Sequence, residues 1–226
     1  MSQNNTPDEV APPKIRGHGF DYEKGRGSLA MIKVPTSMLL CVWLAPTICR
    51  TTFVQTHSAS IFRFGLTWVR KLIGASTTPT SPLPLGGPKE AMALLVFALI
   101  LNALSTYIVT PGVSVAGKAK CVGYNNRDPR GGMNNVFGKG GRMVASHQNM
   151  MEHFPLFALT VGLTAACAPP SSTSDILLTN VLVHVLLKAF LYPILYIYDV
   201  DTGRGFCHGF AIATLVNSLW IVITRL

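Results

Sequence analysis

Charge is scarce in this sequence, acid above all: 13% of its 226 residues are charged, with 10 aspartates and glutamates against 19 lysines and arginines. Apolar residues make up 49% and the mean hydropathy is positive, at +0.37. A soluble domain carries about a quarter charged residues, so an ordinary soluble fold is excluded and an integral membrane protein is expected. Cysteine pairs are missing as well. Cys41, Cys49, Cys121, Cys167 and Cys207 form no CxxC and are odd in number, which argues against a disulfide framework and for free thiols. Zinc-protease spacings are absent, because His147, Glu152 and His153 would need a histidine where Asn149 stands; no metal is expected there. Gly138-Lys139-Gly140-Gly141 lacks the upstream glycine and the following hydroxyl of a phosphate loop and reads as a flexible approach to a helix.

Four apolar stretches are present. Ala91 to Val109 is uncharged, Ile176 to Tyr198 has Lys188 as its only charge, and Phe206 to Thr224 has none; each is long enough to cross a bilayer. Arg142 to Ala168 is the remaining span, polar in its first turns and therefore expected to face protein there. Ala168 to Asp175 is a tight polar turn with Ser174 or Asp175 as the N-cap of the third span. Asp199 to Gly205 joins spans three and four as briefly, so the fold expected is all-α, a four-helix transmembrane bundle over 91–226. The longer link from Thr110 to Gly141 holds Lys118, Lys120, Arg127, Arg130 and Lys139 against Asp128 alone. That excess argues for the cytosol, or for the matrix of a mitochondrion. No aromatics interleave these cations and they border a membrane, so anionic lipid rather than nucleic acid is their expected partner.

Residues 1–90 read as an N-terminal extension. Met1 to Gly27 is polar and balanced in charge, and is expected to be disordered unless a partner holds it. It is neither a signal peptide nor a usual transit peptide. Leu29 to Ile48 is apolar but interrupted by Lys33, Pro35 and Pro46, which favours a membrane-hugging segment over a fifth span. Ile61 to Ile73 sets Arg63, Thr67, Arg70 and Lys71 on one face and Ile61, Phe62, Trp68, Val69, Leu72 and Ile73 on the other. This is the pattern of an amphipathic interfacial helix or of a helix packed on a partner protein. Gly74 to Lys89 reads as a linker.

Polar side chains mark the middle two spans. Arg142, Ser146, Asn149, Glu152 and His153 fall in one stripe at helical spacing, and groups so costly to bury usually mark a site. In the third span Asn180, His184, Lys188, Tyr192 and Tyr196 recur every four residues. A lysine at mid-membrane seeks a cavity, a bundle interior or an acid, and Glu152 is its expected partner. The alternative is an inter-helix hydrogen-bond network that only fixes packing. His208 is expected to be interfacial or capping, and Pro193 to kink its helix.

The stretch VGYNNRDPRGGMNNVFGKGGRMVASHQNMMEHFPLF, Val122 to Phe157, resembles the signature of the membrane-associated proteins in eicosanoid and glutathione metabolism, the MAPEG family. Tyr192-Pro193-Ile194-Leu195-Tyr196 and the run from Tyr196 to Arg204 fit the same family in order, and the resemblance covers about 91–224. It implies a four-helix protomer that forms homotrimers with glutathione bound between subunits. Asn149 and Glu152 would hold its peptide-like groups, Arg142 a carboxylate, Tyr192 and Tyr196 further contacts, and Arg204 the thiol, as the catalytic residue. Ala145 stands where the better-studied members place another arginine, and His153 where they commonly have tyrosine.

Two functions follow. One is a non-catalytic accessory subunit of a larger membrane complex, a respiratory assembly of the mitochondrial inner membrane being the expected host, with a remnant glutathione or lipid pocket that includes Lys188. The other is a glutathione-dependent transferase or peroxidase for lipophilic electrophiles, acting as a homotrimer in that membrane, the endoplasmic reticulum or another organelle.

Overall fold

The computed structural model describes residues 27–73, 88–123, 136–167 and 172–224, and among them every regular element is helical. Helix α1 spans Gly27–Cys49 and α2 Thr52–Leu72; α3 (Pro88–Leu104) continues through a widened π-type turn, Ser105–Val109, into α4 (Thr110–Val122). Then come α5 (Gly138–Cys167), α6 (Ser172–Val185), a second widened turn at Leu186–Leu191, α7 (Tyr192–Ile197) and α8 (Asp201–Ile223). Four of these helical runs are long and apolar enough to cross a membrane: Pro88–Val122, Gly138–Cys167, Asp175–Ile197 and Asp201–Ile223. Their outward apolar side chains, such as Val96, Ile100, Leu159 and Trp220, are exposed, as lipid contact requires.

The link expected from Thr110 to Gly141 is shorter, because the first span stays helical to Val122. Thr110-Pro111-Gly112 looks like a stop, but the widened turn absorbs the proline. Pro111 and Pro193 each follow directly on a widened turn, where Thr110 N–H bonds Ser105 O and Tyr192 N–H bonds Leu187 O, five residues back. A proline removes one helical N–H and its ring crowds the carbonyl four residues earlier; widening the turn makes room. The carbonyl that Pro193 leaves without its usual donor is that of Ala189, and Ser105 Oγ donates to it at 2.9 Å from the first span. A neighbouring hydroxyl is how membrane helices tolerate proline. Ser105→Ala is therefore expected to cost about 1 kcal/mol, measured by reversible unfolding in detergent, with the loss abolished if Pro193 is also replaced by alanine.

At 35 residues and about 1.5 Å each, the first span exceeds the roughly 30 Å hydrocarbon core, so α4 projects beyond it. There α4 packs on the start of α5 more extensively than any other pair of helices. A Cβ on Gly140 would lie 2.6 Å from Gly117 O, and one on Gly117 2.8 Å from Gly140 O, so only two glycines let these backbones touch. The last helix, α8, packs on α1, α5, α6 and α7. The end of α4 and the starts of α5 and α8 share one end of the bundle with the end of α7.

The segment read as membrane-hugging is one helix, α1, whose main packing partner is α8: Cys41, Ala45 and Cys49 meet Val183, Phe210 and Ala213. Burial pushes the Cys49 thiol up to about 12, and all five cysteines are free. The interfacial helix is longer than expected, with Thr51 as N-cap. Its apolar face is only in part its packed face. Ala59 and Phe62 enter the main core, while Ile61, Trp68, Leu72 and Ile73 stay exposed and Arg63 bonds Glu90 at 2.6 Å. Helix α6, which carries the third span, starts at Ser172, ahead of the expected caps Ser174 and Asp175, and the fourth span starts at Asp201 rather than Phe206. The tail up to residue 26 and most of the linker, 74–87, lie outside the described residues.

Candidate functional site

The polar strip of the third span is buried along its length, with Asn180, His184, Lys188 and Tyr192 at most 3% exposed. It faces α8 in antiparallel register. Asn180 Nδ2 donates to Ser218 Oγ at 3.1 Å, His184 Nδ1 to Ala211 O at 2.9 Å, and Lys188 Nζ lies 2.9 Å from His208 Nδ1. In a plain α-helix, side chains four apart drift by about 40° per step, which would carry Lys188 and Tyr192 off this face. The widened turn at Leu186–Leu191 takes up extra residues and cancels the drift. For Asn180 and His184 the strip is the packing network considered from sequence; His184 also stacks on the fully buried Phe157 at 4.9 Å.

Lys188 differs from what its sequence suggests. Its expected acid, Glu152, is exposed on α5 and near enough to attract the Lys188 charge, but not within ion-pair distance; the direct polar partner is His208, and the Tyr192 ring lies 3.7 Å beneath the ammonium. That His208 rather than Glu152 makes the direct contact is a matter of helix order. Helix α8 presents His208 directly against the widened turn, and α5 contributes His153, whose ring meets His208 edge-on at 4.6 Å. Tyr192 also borders His208, at 5.7 Å. His208 is thus the direct neighbour of a lysine one span away rather than a cap, and no local spacing could have paired the two.

One turn toward the bundle end, a second cluster forms. Arg142, from the first turns of α5, donates Nε–H to Ile197 O at 3.2 Å and approaches Asp199 at 3.5 Å. Arg204, from α8, lies 3.8 Å from the same carboxylate, bonds Asp201, and holds its guanidinium 4.8 Å from the Tyr196 ring. The two arginines, distant in sequence, converge on one acid because of the turn between α7 and α8. There Asp199 adopts φ 62°, its N–H bonds Tyr196 O, and Val200 N–H bonds Leu195 O. This is the left-handed helix ending that usually takes glycine. An aspartate in that conformation costs on the order of 1 kcal/mol, and here its carboxylate lies between two guanidiniums. Asp199 and Asp201 were not singled out from sequence; the signal was an acid where a helix end favours glycine.

Tyr192 and Tyr196, with rings 5.5 Å apart, join the two clusters. Asn149 is half-buried and its Nδ2 donates to Ala145 O at 3.0 Å, leaving its carbonyl oxygen open to a donor. Arg142, Lys188, Tyr192, Tyr196 and Arg204 are therefore brought into one tract, while Asn149 and Glu152 sit beside it on α5. Among the described residues no group of three or more metal-ligating side chains occurs. Residues 95–224 match the model of the MAPEG family. No curated protein and no solved structure matches the chain.

Proposed function

Because the chain belongs to the MAPEG family, we propose that it binds glutathione at the arginine end of this tract and conjugates it to lipophilic electrophiles. The observation that carries this reading is the convergence of Arg142 and Arg204 on the Asp199 carboxylate. Asp199 occupies the place a ligand carboxylate would take, so the donor set suits a peptide that bears carboxylates and a thiol. Glutathione would supply the nucleophilic sulfur. Arg142 holds a carboxylate, the Asn149 carbonyl oxygen accepts a peptide N–H, and Glu152, exposed on the protomer beside the tract, lies where a neighbouring subunit of a homotrimer completes the pocket. Arg204 remains charged in a partly dry site and stabilises the thiolate, the reactive form. Tyr196 limits the directions its guanidinium can take. The basic end of the bundle, with Lys118, Lys120, Lys139 and both arginines, faces the cytosol or matrix.

Arg204→Ala is expected to abolish thiolate formation, read as loss of the ultraviolet thiolate band on glutathione addition, while the purified protein keeps its helical content and size. A thiolate band of native strength in the variant would refute the assignment.

A second reading draws on one observation: Arg204 is already shared by two aspartates. In that reading its charge is spent on holding the turn, and the chain is a non-catalytic subunit of a larger assembly, in the mitochondrial inner membrane or elsewhere. Mass in mild detergent separates the two. A homotrimer that conjugates glutathione supports the enzyme; single-copy co-migration with a large complex supports the subunit.

A further inference from the structure

We propose that His208, backed by Lys188, delivers the proton to the electrophile's oxygen, which makes conjugated carbonyl compounds of lipid origin the matching substrate class. The inference rests on the glutathione reading above and extends it one helical turn deeper. Arg204 and His208 are four residues apart on α8, about 6 Å along its axis, and Tyr196 and Tyr192 are four apart on α7. The two pairs face each other: Arg204 lies 4.8 Å from the Tyr196 ring, His208 5.7 Å from the Tyr192 ring, and the tyrosine rings are 5.5 Å apart. A sulfur held at Arg204 attacks the terminal carbon of a conjugated carbonyl. The carbonyl oxygen, a few bonds farther along a molecule that extends toward the bilayer interior, then falls on the His208 side.

The hydrogen-bond directions suit the role. With Lys188 as an ammonium, which has no lone pair, Lys188 donates and His208 Nδ1 accepts across their 2.9 Å contact. The imidazole proton then resides on Nε2, across the ring from Lys188. Lys188 is 1% exposed and out of a substrate's reach, whereas His208 is half-buried and can be approached. The His153 ring, 74° to it, and Tyr192 hold its plane. The charged and titratable groups around the pair are Glu152 and His153 from α5, His184 and Tyr192 from the third span, and Arg204 from α8.

The step balances. The thiolate sulfur forms a bond to carbon, the double-bond electrons move onto oxygen, and that oxygen takes the proton from His208 Nε2. Lys188 passes a proton to Nδ1, which restores a neutral imidazole and leaves a neutral amine. Each glutathione loses one proton on becoming a thiolate and each adduct keeps one; that proton, returning at Nε2 while the Nδ1 proton passes back to Lys188, resets the pair.

The test compares two electrophiles in the full-length protein: a long-chain enone, whose oxygen must be protonated, and an activated aryl chloride, whose chloride departs without a proton. In His208→Gln the enone to aryl chloride rate ratio is expected to fall about tenfold or more, within the range of a lost general acid. Lys188→Met should lower the same ratio. An equal loss on both substrates, or an unchanged ratio, overturns the proton-donor role while leaving the glutathione site in place. Failure of the native protein to conjugate either one removes the glutathione reading and this inference together.

Discussion

Gly140→Leu should leave almost no folded protein. The position is buried where α4 and α5 cross, and even a methyl group there would meet Gly117 O at 2.6 Å and Cys121 Sγ at 2.5 Å. The thiol can turn aside; the carbonyl belongs to a helix backbone and cannot. Relief requires the two helices to separate along their most extensive contact, and dense interiors do not deform by small degrees. Overpacking typically costs about 1–3 kcal/mol when side chains can move, and here backbone must move, so a loss beyond that range is expected. The measurement is the yield of monodisperse protein in mild detergent and its melting temperature. Gly162→Ala is the control, because nothing lies within 4 Å of its added Cβ and alanine favours helix by about 1 kcal/mol. If Gly140→Leu folded as well as that control, the crossing would not be as close as described.

Lys188→Met is expected to act in the opposite direction on stability. Lys188 is nearly fully buried within a membrane-spanning helix and makes no ion pair among the described residues. A charge at mid-membrane costs about 2.5–3.5 kcal/mol on insertion scales, while methionine has similar length and fills irregular space. His208 loses a donor, but it is half-buried and pays less for that than a core group would. The variant should therefore unfold about 1–3 kcal/mol later than the native chain, measured by denaturant titration in detergent. Lys188→Ala shares the charge removal but leaves a cavity, so it should be the less stable of the two. A buried lysine that costs stability is accounted for by the proton-donor role and not by packing. If Lys188→Met proved strongly destabilising, Lys188 would be a packing element and the proton-donor role would lose its support.

Much of this architecture was legible in the sequence, because lipid imposes a simple rule. Spans must be apolar, helical and long, and Ala91 to Val109, Ile176 to Tyr198 and the stretch after Phe206 state it openly. The tract residues Arg142, Tyr192, Tyr196 and Arg204 were legible from motif order. The missing parts depended on contacts between helices. Thr110-Pro111-Gly112 looked like a break because the widened turn that rescues it has no sequence signature. The apolar face of α2 divides after Phe62 into a packed and an exposed part, a division periodicity could not show because in a bilayer an exposed apolar face is as acceptable as a packed one. His208 could not be paired with Lys188, since periodicity within a helix says which residues share a face and not which neighbour that face meets. Asp199 was overlooked because its role depends on backbone conformation rather than residue type.

The widened turn between Leu186 and Leu191 also bears on how this chain should be compared with its kin. It behaves as an inserted residue: everything after it is rotated relative to an uninterrupted helix. A homologue without proline at the position of Pro193 has no need of that extra length. Lining up the two sequences without a gap would then match Tyr192 and Tyr196 to the wrong columns, and a genuine counterpart of the tract would be scored as lost.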